Sequence, residues 1–228
     1  MKTNPVAHQP SNPPRHSWAL SPKEAVAVQR AWAERVELIP LGEPPATIAG
    51  LDVSVRDGQV QTAIVVLRLA DLETIDEAIW RGPVPFPYIS GLLSFREIPS
   101  ILPAYEKLRV EPDVLMLDGQ GLAHPRRFGL ACHLGVWLGK PAFGVAKTRL
   151  IGVYEEPGTE KGSQSALLAK KTSGRLGTVL RTRSNVKPVY VSPGHLITLR
   201  EAEALTLNTT TRYKIPEPTR RAHLLSRS

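Results

Sequence analysis

The sequence is poor in the features that stabilise extracellular proteins or address a chain to a membrane. Cysteine occurs once, at Cys132. That excludes a disulfide framework and a zinc site built from cysteines, and it fits a reducing cytoplasm. No apolar run approaches the roughly 18 residues that a membrane-spanning helix requires. The amino-terminal segment lacks the basic-then-apolar order of a secretory signal. A cytoplasmic protein without a membrane partner is therefore expected. No internal repeat is present.

What is present suits one compact domain. Over 228 residues the apolar fraction is 42%, enough to rule out a chain disordered throughout. The net charge of +8 is unevenly placed: residues 1–118 hold 11 basic and 15 acidic side chains, residues 119–228 hold 18 and 6. A strongly basic second half points to a polyanionic partner, most simply nucleic acid, although many soluble proteins are basic without binding one.

Residues 1–17, with four prolines, read as a flexible lead-in to a single domain over 18–228. Ser21-Pro22-Lys23-Glu24 has the form of a capping box with proline at the first helical position. Ala25, Val28, Trp32 and Val36 continue it at helical spacing as far as Pro40. Strand-like runs at 47–55 and 61–69 flank the hairpin signal Arg56-Asp57-Gly58, and 73–80 reads as a third strand. Residues 94–109 predict a helix that Pro99 and Pro103 should kink or segment. Val114-Leu115-Met116-Leu117 predicts a strand buried on both faces. A helix over 126–138, strands at 141–145, 175–183 and 188–192, and helices near 198–208 and 217–226 complete the order. Such an order calls for a mixed sheet with helices on its faces.

Two segments place a carboxylate where burial is costly. Asp52 lies inside the apolar run Ile48-Ala49-Gly50-Leu51-Asp52-Val53, and Asp118 ends the buried run at 114–117 before Gly119-Gln120-Gly121. An ionised carboxylate in such a place requires a cation or a metal. For either residue alone, a helix cap, a turn or a buried acceptor is the ordinary role. The two strands can be neighbours, however, and Glu97 begins a helix directly after a proline- and glycine-rich loop. Converging oxygen ligands without cysteine suit Mg²⁺ or Mn²⁺, and beside a basic surface they suit metal-assisted phosphodiester cleavage.

These residues carry a resemblance. The stretches IAGLDVS (48–54), PYISGLLSFRE (87–97), PDVLMLDGQGLAHPRRFGLACHLG (112–135), GVAKTRL (144–150), VSPGH (191–195) and IPEPTRRAH (215–223) resemble the endonuclease V family, also called deoxyinosine 3′ endonuclease, over about residues 18–225. The resemblance implies a ribonuclease H-like α/β fold: a mixed five-stranded core sheet flanked by helices, with extra strands and carboxyl-terminal helices added. It implies Asp52, Glu97 and Asp118 as metal ligands for Mg²⁺, with Mn²⁺ as a substitute. It adds His223 near the metal and Lys147 near the scissile phosphate. For these two, a surface histidine and a solvated lysine are the plain alternatives.

Hypoxanthine differs from guanine only in lacking the 2-amino group. A selective pocket therefore needs a close wall at C2, which backbone provides better than side chains. Gly91, Gly119 and Gly121 are candidates for that approach, with Leu93 and Leu150 as apolar faces. Pro87-Tyr88-Ile89 matches the family's strand-parting wedge, and Tyr88 is the stacking candidate. The family usually has proline after Ile; Ser90 stands here, which alters the stiffness of the wedge. His124 is expected to shape the site or meet the DNA backbone. Arg96, Arg126 and Arg127 are candidate phosphate contacts, or else ordinary solvated or paired charges. His195 belongs to the pattern without an assigned role.

The expectation is an Mg²⁺-dependent endonuclease, acting as a monomer, that recognises deoxyinosine in DNA. It would hydrolyse the second phosphodiester bond on the 3′ side, leaving 3′-hydroxyl and 5′-phosphate ends. The alternatives are a nuclease of the same fold acting mainly on inosine in RNA or on branched or mismatched DNA, and a non-catalytic nucleic-acid-binding module.

Overall fold

Ser21 and Glu24 form the reciprocal capping box that their spacing predicts, and α1 (Pro22–Ala33) starts there. A computed structural model describes residues 15–170, 172 and 174–228; most of the expected lead-in, residues 1–14, lies outside the described residues. The described part of the lead-in is packed: His16 stands 4.5 Å, ring to ring, from Trp18 and 4.8 Å from Trp32.

The hairpin signal folds as a two-residue turn. Strands β1 (Thr47–Arg56) and β2 (Gln59–Arg68) pair antiparallel down to Arg56 opposite Gln59. Asp57 and Gly58, both at positive φ (50° and 74°), make the corner whose hand matches strand twist. Strand β3 (Thr74–Pro83) follows antiparallel to β2. Helix α2 (Leu93–Tyr105) is continuous through Pro99 and Pro103, where a kink or a break into segments was expected. It is tied to the sheet: Thr62 Oγ1 on β2 donates to Ser100 Oγ (2.6 Å), and Ser100 Oγ lies 2.8 Å from the Glu97 carbonyl.

Strand β4 (Val114–Leu117) is buried on both faces, as its apolar run requires. Val114 and Met116 enter one core, Leu115 and Leu117 the other. Helix α3 (Leu130–Leu138) begins four residues later than the sequence suggested. Arg127 upstream is left-handed (φ 51°) and Gly129 is extended against the Gln120 carbonyl, so the helix cannot start sooner. Strand β5 (Ala142–Ala146) lies parallel to β4.

Three further strands extend the sheet. β6 (Gln164–Leu168) has no clear alternation and was not anticipated; β7 (Arg175–Leu180) and β8 (Val189–His195) were. β8 runs past Pro193 because the register shifts there against Ala142 and Phe143, leaving the proline at an irregularity. Helices α4 (Leu199–Asn208) and α5 (Glu217–Leu225) close the chain order.

The sheet order is β3-β2-β1-β4-β5-β8-β7-β6. Its first five strands form the expected mixed core, with β1, β3, β4 and β5 running in one direction and β2 antiparallel to them. One face packs against α4 and α5, the other against α2 and α3 with α1 outside α3. Each fully buried Leu, Ile, Val or Phe contributes about 1.5–3 kcal/mol, so both faces hold β4 rigidly where the site begins. No helix among the described residues is long and apolar enough to cross a membrane.

Candidate active site

The parallel pairing of β1 with β4 ends at Leu51 opposite Leu117. The next residue on each strand is an aspartate. Asp52 and Asp118 therefore stand side by side at the carboxyl end of the β4 strand, and the Asp118 N–H donates to the Leu51 carbonyl at 3.4 Å. Glu97, on the second turn of α2, faces them. All three line one cavity of about 160 Å³ whose walls include Leu51, Ile101, Leu117 and Leu130.

Each carboxylate is held differently. Asp52 Oδ2 accepts the Ser226 hydroxyl at 2.5 Å, and His223 Nδ1 stands 3.3 Å away. Asp118 Oδ2 is ion-paired with the Lys147 ammonium. The Glu97 carboxyl has no hydrogen-bond partner among the described residues. Burial, and then the charges of Asp52 and Asp118, push it well above the usual carboxylate range, against a smaller opposing effect of Arg96. Asp118 is also raised, because burial outweighs the Lys147 ammonium.

Three acids at one cavity with one ammonium leave negative charge that a cation would neutralise. The donor set is all hard oxygen, which fits Mg²⁺ or Mn²⁺ and not a thiophilic metal. Among the described residues, no group of three or more His, Cys, Asp or Glu side chains is drawn together tightly enough to form a ready-made metal cluster. The carboxylates face a shared space, and a cation would have to gather them.

A second cavity of about 390 Å³ opens beside the first, and Asp118 and Leu130 line both. Its walls bring together Tyr88, Gly91, Leu93, Gly119, His124, Lys147 and Leu150 from three separate stretches of sequence. Tyr88 is 74% exposed at the rim. Gly91, at φ 79°, needs the freedom of glycine, and its carbonyl is a convergence point. It accepts from Gln29 Nε2 (3.0 Å), His124 Nε2 (2.9 Å) and Arg126 (2.6 Å). His124 is thus neutral with its proton on Nε2, and its Nδ1 accepts the Arg126 N–H at 3.2 Å. Burial lowers its pKa to about 4.

Other candidates lie elsewhere. Gly121 is outside the cavity lining: its backbone packs against the Pro193 carbonyl, where a Cβ would overlap it. Arg96 donates to the Phe86 carbonyl at 2.9 Å and so braces the loop before Tyr88. Arg126 is spent on Gln29 (2.6 Å) and Gly91, and it braces the same loop from the other side. Arg127 is exposed and lines a neighbouring groove with Arg149 and Lys170. His195 accepts the Glu37 N–H at 3.2 Å, which anchors the segment after α1.

Gln29, Gln120 and Ser226 also contribute to these cavities or brace their walls, and their motifs did not mark them. Gln29 is 1% exposed on the buried face of α1 between Ala25 and Trp32; a polar residue on an apolar stripe was the available signal. Gln120 lines the larger cavity and donates to the Thr148 carbonyl at 3.0 Å. Nothing in the sequence distinguishes Ser226 from a surface serine.

Comparison with known proteins places this arrangement. The family model described as Endonuclease V matches residues 30–224. A curated endonuclease V from Petrotoga mobilis is 45% identical, over 94% of this chain and 96% of that protein. The crystal structure of endonuclease V from Streptomyces avermitilis superposes with a TM-score of 0.87 at 47% identity, covering 92% of this chain and 93% of that one. The Ciona intestinalis endonuclease V, solved in complex with a 24mer DNA containing an inosine followed by a ribo-adenosine, superposes with a TM-score of 0.80 at 27% identity. It covers 90% of this chain and 95% of its own.

Proposed function

The chain belongs to the endonuclease V family of nucleases, and from that premise we propose that it nicks DNA on the 3′ side of deoxyinosine at the second phosphodiester bond, using Mg²⁺ or Mn²⁺. The observation that carries this reading is Asp118, which lines the carboxylate cavity and the larger apolar-walled cavity together. A base held in the larger cavity is thereby fixed relative to the phosphates that the carboxylates serve.

Reading a base in this way requires taking it out of the stack. The exposed Tyr88, on a loop braced by Arg96 and Arg126, is placed to fill the gap. Leu93 and Leu150 offer apolar faces, and the backbone of Gly91 and Gly119 offers the close wall that a 2-amino group would strike. Stranding one polar group costs about 1–3 kcal/mol, so discrimination against guanine should be real but incomplete.

Asp52, Glu97 and Asp118 would hold the cation, which supplies charge neutralisation at the phosphate and a more acidic bound water. In the hydrolysis, the water oxygen bonds to phosphorus and the P–O3′ bond breaks. The leaving O3′ gains a proton, and the other strand end keeps the 5′-phosphate. Lys147 sets its ammonium beside Asp118, where it can face the scissile phosphate's charge. His223, beside Asp52, orients the water or assists the leaving group. A monomer working in the cytoplasm is consistent with the buried single thiol of Cys132.

The test is incubation of a labelled inosine-bearing duplex with Mg²⁺. A nick at the second bond 3′ to inosine, lost in Asp118→Ala and absent from the matched adenine duplex, is expected. A nick that survives Asp118→Ala would overturn the assignment. Because the Ciona complex contains a ribo-adenosine after the inosine, a matched inosine RNA belongs in the same experiment. Faster cleavage of the RNA would transfer the proposal to RNA.

A further inference from the structure

Asp52 is gripped by a part of the chain that lies beyond the family-matched residues 30–224. Ser226, 1% exposed, caps the carboxyl end of α5, and its Oγ stands 2.5 Å from Asp52 Oδ2. Its own backbone is pinned at both ends. The N–H donates to the Ala222 carbonyl at 2.8 Å, and the carbonyl accepts the hydroxyl of Ser54, two residues along β1 from Asp52 on the same face.

The neighbouring carbonyls are fixed to the sheet as well. Gln61 Nε2 on β2 is 3.2 Å from the Leu225 carbonyl and 3.1 Å from that of Ser228. Arg81 on β3 reaches Ser228 at 3.2 Å. Carbonyls at the end of a helix have no partners within it. Here side chains from three strands take them up, and residues 225–228 become a strap across the edge of the site. The outcome is a buried hydroxyl held 2.5 Å from one oxygen of the Asp52 carboxylate, with the His223 carbonyl of its own helix farther off at 3.1 Å.

We propose that Ser226 is a positioning residue of the carboxylate site, its strapped hydroxyl fixing the rotation of the Asp52 carboxylate for cation binding. The inference rests on the reading of Asp52 as a cation ligand. A carboxylate turns about its last bond with little preference, and a neighbour that donates to one oxygen removes that freedom before the cation arrives. Partners that hold a ligand in this way typically contribute about 10–100-fold to metal affinity.

The probe is Mn²⁺, titrated calorimetrically into the full chain at fixed pH, with nicking of an inosine duplex measured in parallel against Mg²⁺ concentration. Ser226→Ala is expected to weaken Mn²⁺ about tenfold and to raise the half-saturating Mg²⁺ by a similar factor. The rate at saturating Mg²⁺ should stay close to that of the unsubstituted protein. Ser226→Thr, which keeps the hydroxyl, should recover most of the affinity. Ser226→Cys preserves the volume at this buried position but donates poorly; it guards against a folding defect and should share the tenfold loss. Mn²⁺ affinity within twofold of the unsubstituted protein in both Ser226→Ala and Ser226→Cys, with Asp52→Asn losing it, would overturn the role of Ser226 alone. Unchanged affinity in Asp52→Asn would overturn the reading of Asp52 and this inference with it.

Discussion

Gly50→Ala should loosen the site from a distance without changing any polar group in it. Gly50 sits on β1 directly beneath α5. An added Cβ would overlap the Pro218 carbonyl group and stand 2.5 Å from the Thr219 nitrogen, all of it backbone that no rotamer change can move aside. Restoring a contact of about 3.5 Å to the Pro218 carbonyl carbon, 2.0 Å from that Cβ, requires α5 to retreat by about 1.5 Å. Ser226 Oγ, now 2.5 Å from Asp52, would then lie at or beyond hydrogen-bond range, and His223 would leave the same carboxylate. Overpacking of this kind costs about 1–3 kcal/mol; about 2 kcal/mol corresponds to a fall of about 6 °C in Tm for a chain of this size. Urea unfolding and nicking of an inosine duplex under subsaturating Mg²⁺ give the two readouts, and both should fall, nicking by tenfold or more. Unchanged stability would refute the packing argument. Lost stability with unchanged nicking would refute the claim that α5 sets the geometry of Asp52.

Three further outcomes follow from the same geometry. Glu97→Gln should abolish nicking yet stabilise the metal-free protein at pH 8. The raised pKa of Glu97 means that its charged form is penalised in the fold, so the gain should be full above that raised value and vanish below the ordinary glutamate range near ~4.3; urea unfolding at pH 8 and pH 4 checks the sign. His124 has the opposite linkage: its folded pKa of about 4 lies below the ordinary value of 6.5, so stability is lost as pH falls from 6.5 toward 4, by about 3 kcal/mol at most. Its imidazole NMR signals should show a neutral ring at pH 5.5, and a midpoint near 6.5 would refute the buried hydrogen-bonded assignment. Tyr88→Ala, at a side chain 74% exposed, should leave stability within about 0.5 kcal/mol while weakening binding to inosine duplex in Ca²⁺; equal binding would remove Tyr88 from the wedge.

The carboxylate pair was legible in the sequence because burial of charge is a local signal. Asp52 and Asp118 each interrupt or end an apolar run, and the parallel register of β1 and β4 makes neighbours of them. The turn at Asp57-Gly58 and the capping box at Ser21 were legible for the same reason, since the residues that define them are adjacent. Contacts across long sequence separations were not. The Gly91 carbonyl gathers donors from residues 29, 124 and 126, and no spacing rule reports a carbonyl. Gly121 and Arg96 looked like ligand contacts from their motifs, yet one fills a place that only glycine fits under Pro193 and the other braces Phe86. β6 escaped because its burial alternates poorly at the edge of the sheet. The charge asymmetry acquires a location: all three carboxylates come from the net-acidic first 118 residues, while Lys147, Arg149 and Lys170 come from the basic remainder and stand along the cavities beside them.

The central claim is that one aspartate, Asp118, joins a base pocket to a cation site. A crystal structure of the protein with an inosine-containing duplex and Ca²⁺ tests it most directly. Hypoxanthine is expected out of the stack between Leu93 and Leu150, with the cation among Asp52, Glu97 and Asp118. Hypoxanthine still paired in the duplex, or a cation bound away from these three carboxylates, would contradict it.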